Sequence, residues 1–276
     1  MINGIEFLYK KEFDKQKPRH TADNNVPANP LRTSSIFHFT KSLDSLIGIL
    51  SNGLIPNYCS ETLYDKEGIN ITLGVPMVSF CDIPLSRTYE HTIKYGYFAI
   101  GLGSEYAEDN NINPLLYIAN DQLIRSAFPS IFSGKSMRPK PVLPSSYLGL
   151  LKRTYGEFKG QEINNYAENE WRYIVPSDKK FLKWFYTKEE YMKWRGNVDN
   201  PKPSPTQNPF LYSRKLIFTA VDINYIIVET EKDIPMLIAY LLNASQIGGS
   251  QTRLSNQDKY YLINHITSFE RIRRDY

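Results

Sequence analysis

Residues 34–54, SSIFHFTKSLDSLIGILSNGL, change hydrophobic period half-way along. The first seven, SSIFHFT, run β-branched and aromatic residues together as a core strand does. Leu43, Leu46, Ile47 and Leu50 then recur at i, i+3, i+4 and i+7, the spacing of one helix face. Thr40 or Ser42 can accept from the first free N–H groups of that helix. Gly53 followed by Leu54 stands where a left-handed cap and its apolar contact would end it. A strand leading straight into a capped helix is predicted, with His38 near the strand's end.

Working outward, PMVSF (76–80), YFAIGL (97–102) and PLLYI (114–118) are short apolar runs bounded by Gly, Pro and Asn, as core strands are, and WRYIV, KLIFT and YIIVE add strands later. Between them SRTYEHTIKYG reads as a short helix or turn carrying His91, while DQLIRSAFPS and SSYLGLLKRTYGEF have apolar residues at helical spacing. Asp233 with Pro235 opens a last pair of helices, since a proline in the first turn forfeits no intrahelical bond. Strands and helices interspersed without βαβ alternation predict an α+β fold. Residues 1–33 are polar and mixed in charge, a peripheral arm, which leaves 34–276 as a single domain. Within it NVDNPKPSPTQNP (197–209), with four prolines, is an exposed loop.

The chain has 276 residues, 41% hydrophobic and 22% charged, so a sizeable core can form without a metal or disulfide to hold it. Thirty-three basic against 29 acidic residues give +4, and the pI of about 8.8 falls short of the strongly basic balance of a dedicated nucleic-acid binder. The only cysteines, Cys59 and Cys81, lack C-x-x-C spacing, and no apolar run of signal-peptide length opens the chain, so a cytoplasmic protein is expected. IPMLIAYLL (234–242) is well short of the ~20 residues that cross a bilayer, so no membrane role is expected.

Several chemistries lack the spacing their geometry demands. There is no phosphate-cradling G-x-x-x-x-G-K-[ST] loop, no third glycine after GLGSEY at 101 and no G-x-S-x-G elbow. Four histidines without an H-E-x-x-H pair, and two cysteines, predict no metal site. AENEWRYIV (167–175) stands out, because charged residues enter a strand otherwise made of Trp171, Tyr173, Ile174 and Val175. Strand alternation puts Glu168, Glu170 and Arg172 on one face, with Trp171 and Tyr173 on the other. The plainer reading of that face is a solvated ion pair worth ~0–1 kcal/mol; the chemical one is a carboxylate site. His38 reads either as a ligand-binding strand-end residue or as a core histidine satisfied by backbone. Cys81, in PMVSFCDIPLS, is expected to be a buried structural thiol.

In order, F-H-F-T with G-I-L-S-N-G-L-I, then P-M-V-S-F-C-D-I-P-L-S, H-T-I-K-Y-G-Y-F-A-I-G-L and E-N-E-W-R resemble the AbiGi family of bacterial abortive-infection proteins. That resemblance implies phage defence, with members described as the antitoxin half of a two-gene system. An early strand histidine, a following helix and a late strand glutamate are also similar to the ADP-ribosyltransferase superfamily, DarT-type enzymes included. This remoter likeness implies two small, mostly antiparallel sheets with flanking helices and NAD bound in the cleft between them. Glu168-Asn169-Glu170 matches the E-x-E arrangement of such enzymes. Glu170 would then stabilise the oxocarbenium-like ribose and Glu168 would orient or deprotonate the acceptor. His38 would bond the adenosine ribose, Thr40 or Ser79 would support the cofactor, and Arg172 would hold phosphate or partner Glu170. The chain departs from the best-known enzymes in having no arginine close to His38. An RNA or single-stranded DNA acceptor would meet Lys183, Trp184 and Trp194 in KKFLKWFYTKEEYMKWR, where aromatic faces can stack on bases and cations meet phosphates. The same stretch also reads as an amphipathic helix with its aromatics in the core. The leading expectation is an NAD-dependent ADP-ribosyltransferase acting in phage defence; the alternative is a non-catalytic antitoxin that holds a cognate toxin.

Overall fold

A computed structural model describes residues 33–64, 70–119, 132–133, 140–141, 145–175, 188–195 and 208–275. The N-terminal arm up to residue 32, the helix expected at 121–130, and all but the last two residues of the proline-rich loop lie outside them. So do Lys183 and Trp184.

Strand β1 (Ser35–Thr40) runs directly into helix α1 (Leu43–Asn52). Ser42 is the cap: its hydroxyl accepts from the Ser45 N–H, while Gly53 at φ 84° closes the other end. Strands β2 (Asn57–Tyr64) and β3 (Asn70–Cys81) follow, then α2 (Thr88–Tyr95), β4 (Phe98–Gly103), α3 (Ser104–Asp109), β5 (Ile112–Pro114) and β6 (Leu116–Ile118). The middle of the chain holds β7 (Phe132–Ser133), β8 (Lys140–Pro141), α4 (Ser145–Gly149), β9 (Leu151–Arg153), β10 (Tyr155–Phe158), β11 (Gln161–Asn164) and β12 (Glu170–Ile174). It ends with α5 (Lys188–Arg195), α6 (Pro209–Tyr212), β13 (Ile223–Val228), α7 (Ile234–Asn243), α8 (Asn256–Asn264), β14 (Ile266–Ser268) and α9 (Phe269–Asp275).

The α+β expectation holds, and the sheet arrangement differs from the one expected. Among the described residues, a single eight-stranded sheet in the order β14-β13-β4-β1-β3-β12-β5, with β2 also on β3, replaces two small sheets; β6-β9, β7-β8 and β10-β11 form separate two-stranded ladders. The reason is the length of β3. Its twelve residues pair with β2 over Asn70–Met77 and with β12 over Met77–Cys81, so one continuous strand joins what would otherwise be two sheets.

That strand also creates a gap. Met77 has Asn57 on one edge and Ile174 on the other, while Cys81 has Phe37 on one edge and Glu170 on the other. Strands β2 and β1 therefore follow one another along the same edge of β3, and between them Val78, Ser79 and Phe80 pair with β12 alone. The sheet splits there, with His38 and Glu61 on the two diverging strands.

Both faces of the sheet are covered. Leu46 and Leu50 of α1 and Leu237 and Leu241 of α7 pack on Ile36, Val78, Phe80, Ile100 and Ile226, with Trp171 and Tyr173 against the same cluster as alternation predicts. The opposite face buries Phe37, Cys81, Ala99 and Ile227 under Phe269 and Ile272 of α9. Gly96 turns the chain from α2 into β4 at φ 115°, where a Cβ would stand 2.2 Å from the Thr40 carbonyl oxygen, so glycine alone lets this turn cross the end of β1.

Two further expectations are corrected. The helix expected over 145–158 stops at Gly149, because Leu151–Arg153 finds a parallel partner in β6 and Tyr155–Phe158 an antiparallel one in β11. KLIFT is no strand: Leu216 and Phe218 make isolated bridges to Leu54 and Gly249, and the Thr219–Asp222 capping box then turns the chain.

Candidate functional site

The split holds a cavity of about 410 Å³, within the size range of small-molecule sites. Its lining includes three consecutive residues of β1, Phe37, His38 and Phe39, then Asn57, Cys59 and Glu61 of β2 and Met77, Ser79 and Cys81 of β3 at strand spacing, with Tyr95, Lys152 and Glu170.

Glu168, Glu170 and Arg172 do converge, but by another route than strand alternation. Glu168 ends a 3-10 turn, and β12 begins only at Glu170. Asn169 between them is left-handed, at φ 42°, and is fastened by its Nδ2 donating to the Asp82 carbonyl at 2.8 Å and its own carbonyl accepting from the Asp82 N–H at 3.0 Å. This kink brings both glutamates to the Lys152 ammonium, which donates to Glu168 at 3.0 Å and to Glu170 at 2.5 Å.

The expected solvated face is in fact interior: Arg172 is 1% exposed and Glu170 5%. Arg172 donates through Nε to Glu170 Oε1 at 2.6 Å, through Nη2 to Glu61 at 2.5 Å, and through Nη1 to the Gly149 carbonyl at 2.8 Å. Glu168 Oε1 accepts from the Lys94 ammonium and from the Tyr95 hydroxyl, the latter at 2.9 Å. Three carboxylates thus meet three cations, a balanced buried network of the kind that survives only when every charge is compensated.

Electrostatics follow from that balance. Burial alone would push the Glu170 carboxyl up, yet Arg172 and then Lys152 outweigh it and hold the group at about 2. Glu168 is likewise lowered, burial being overcome by Lys152 and Lys94. At Glu61 burial prevails over Arg172 and Lys152, and the carboxyl is raised. Cys81 is pushed well up by burial and by the carboxylates of Glu170 and Glu168, so it stays a thiol, as expected of a structural cysteine.

His38 is satisfied by backbone, the second of its two readings, and its ring also borders the cavity. Its Nδ1 lies 2.9 Å from the Ser79 carbonyl oxygen, filling with a side chain the place where β3 lacks a strand partner, and the ring lines the cavity. Burial lowers its pKa, so the ring is neutral; a carbonyl can only accept, so the proton sits on Nδ1 and Nε2 keeps its lone pair.

Ser79 lines the cavity, with its hydroxyl on the Met77 sulfur at 3.4 Å. Thr40 ends β1 opposite Phe98 and is not among the lining residues. Trp194 packs on Tyr58 with ring centroids 4.5 Å apart and stacks on Tyr191, the core-facing role of an amphipathic helix. Sequence reasoning missed Lys94, Lys152 and Glu61. Of these only Lys152 carried a signal, a lysine in the apolar run LGLLK, which alternation on a strand would have turned inward. Among the described residues there is no cluster of three metal-ligating side chains, and no helix is long and apolar enough to cross a membrane.

The profile of the family described as "Putative abortive phage resistance protein AbiGi, antitoxin" matches residues 52–229, well over half of the chain. The chain belongs to the AbiGi family. An AbiGi relative from Lactococcus lactis subsp. cremoris, named as an abortive phage resistance protein, is 25% identical over 228 residues, covering 73% of this chain and 89% of its own length. The match spans every member of the ionic network: Glu61, Lys94, Lys152, Glu168, Glu170 and Arg172. No solved structure matches this AbiGi chain, so the ADP-ribosyltransferase likeness has no structural counterpart.

Proposed function

We propose that this AbiGi protein is the antitoxin of a two-gene abortive-infection system, a binding subunit that restrains a cognate toxin and catalyses no group transfer. The observation that carries the reading is the neutralised network. A carboxylate that stabilises a cationic transition state must face it with its charge unspent, whereas Glu170 spends its charge on Arg172 and Lys152, and Glu168 on Lys94 and Lys152. The description of the AbiGi family as antitoxin supports the same conclusion.

One observation favours the enzymatic alternative: His38 and Glu170 line the same cavity. The cavity nevertheless fits NAD poorly. A dinucleotide brings a diphosphate, and among the described residues the one cation lining the cavity, Lys152, is already held between two carboxylates.

The test is co-expression with the protein encoded by the neighbouring gene, beside transfer of label from NAD to RNA, DNA and protein fractions. An antitoxin is harmless alone and rescues growth from its neighbour. Growth arrest by this chain alone, or label that disappears in Glu170→Gln, would overturn the proposal.

A further inference from the structure

Two hydrogen-bond acceptors on cavity-lining side chains are left over once the ionic network is satisfied, and a third lies buried beside the cavity. Asn57 Oδ1 is buried with no hydrogen-bond partner among the described residues, although Asn57 lines the cavity. Buried polar atoms are nearly always paired, so such an orphan calls for an explanation. His38 Nε2 keeps its lone pair because Nδ1 serves the Ser79 carbonyl. Glu61 meets Arg172 through Oε1, and its Oε2 accepts from none of the described residues. The walls around these atoms are largely apolar and aromatic, Phe37, Phe39 and Tyr95 among them.

We infer that the cavity is a binding site for an uncharged ring bearing an exocyclic amino group, of the aminopurine or aminopyrimidine class. Each feature selects against something else. Surplus acceptors require a ligand that donates hydrogen bonds, and an amino group supplies two donors. A phosphorylated ligand is disfavoured because the one lining cation among the described residues, Lys152, is committed to Glu168 and Glu170. A cationic ligand gains nothing, since three carboxylates are already matched by three cations. Aromatic walls suit a ring, and a volume of about 410 Å³ admits a nucleoside. Sites built to pair a ligand's N–H groups reject analogues lacking them, because the site's own polar atoms are then stranded. The inference is independent of the antitoxin reading.

Calorimetric titration of the full chain with adenosine, cytidine, inosine, uridine and adenosine 5′-monophosphate tests it. Adenosine or cytidine is expected to bind saturably. Inosine and uridine, with carbonyl oxygens in place of the amino group, should bind at least ~10-fold more weakly, and the monophosphate no more tightly than adenosine. Asn57→Leu removes the orphaned acceptor at similar volume. It should weaken adenosine at least ~10-fold without lowering the melting temperature, a combination that a structural role for Asn57 would not give. If Asn57→Leu does not fold, Glu61→Gln serves instead: its amide oxygen must face Arg172, so its NH2 replaces the Oε2 acceptor and should reverse the amino-over-oxo preference. Absence of saturable binding by all four nucleosides, equal binding of amino and oxo rings, or wild-type binding by the variant would overturn the inference.

Discussion

Replacing Arg172 by methionine keeps most of the side-chain volume and deletes a guanidinium that is 1% exposed. The losses are specific: Glu170 loses its bond at 2.6 Å, Glu61 its bond at 2.5 Å, and the Gly149 carbonyl its donor at 2.8 Å. Removing one member of a buried ion pair costs about 3–5 kcal/mol, because the partner remains buried and uncompensated. For a chain of this size each kcal/mol moves the melting temperature by about 2–4 °C, so a fall of roughly 6–20 °C is expected at pH 7. The control is Arg87→Met, whose pair with Glu90 is 47% and 61% exposed; such a pair is worth ~0–1 kcal/mol, or at most about 4 °C. The pH dependence has a definite sign. In the wild type Glu170 is held at about 2, so its stabilisation is present above the ordinary glutamate value of ~4.3 and is lost as pH falls toward 2. In Arg172→Met the carboxyls of Glu170 and Glu61 have lost their strongest partner and move up, so protonation on acidification relieves the variant. Melting curves recorded between pH 7 and pH 3 by circular dichroism should therefore converge. A loss at pH 7 no larger than that of the Arg87→Met control would refute the account of a buried, mutually dependent network.

Other outcomes follow from single features. Burial raises the Glu61 carboxyl, so its contribution to stability is present below the ordinary glutamate value and lost as pH rises through the folded one. The melting temperature of Glu61→Gln should accordingly gain on wild type between pH 4 and pH 8. Gly96→Ala places a Cβ 2.2 Å from the Thr40 carbonyl oxygen at φ 115°, so it should destabilise by more than about 1 kcal/mol in urea unfolding, where Ala at an unstrained site would stabilise. In a Cys59→Ser background, Cys81 is the single thiol, buried and raised well above its ordinary value. A thiol-exchange reagent at pH 8 should detect none in the native protein and one after denaturation.

Local patterns were the legible part of this molecule. The turn from strand period to helix period after Thr40, the Gly53 cap and the inward Trp171 and Tyr173 are encoded by neighbours in sequence, and all three stand in the structure. Residues 145–158 were misread because Leu148, Leu150 and Leu151 fit a helix face as well as a strand, and the strand is chosen by β6, more than thirty residues earlier. The site was half legible for the same reason. Glu170 and Arg172 advertise themselves as charges in an apolar run, whereas Lys94 and Glu61 matter only because folding brings α2 to the turn at Glu168 and β2 to Arg172. Whether an Arg–Glu pair is solvated or interior depends on what covers it, and residues two apart carry no record of that.

Asn169 gives the short word Glu-Asn-Glu a grammar of its own. Written as glutamate, any residue, glutamate, the pattern treats the middle letter as a spacer; here that letter sets the angle at which the two carboxylates meet one ammonium. Asparagine, aspartate and glycine enter the left-handed region readily, and β-branched residues almost never do. Proteins carrying Glu-Gly-Glu at this place should keep the arch over lysine. Those carrying Glu-Val-Glu or Glu-Ile-Glu should lose it, although a search by the outer letters would group them all together.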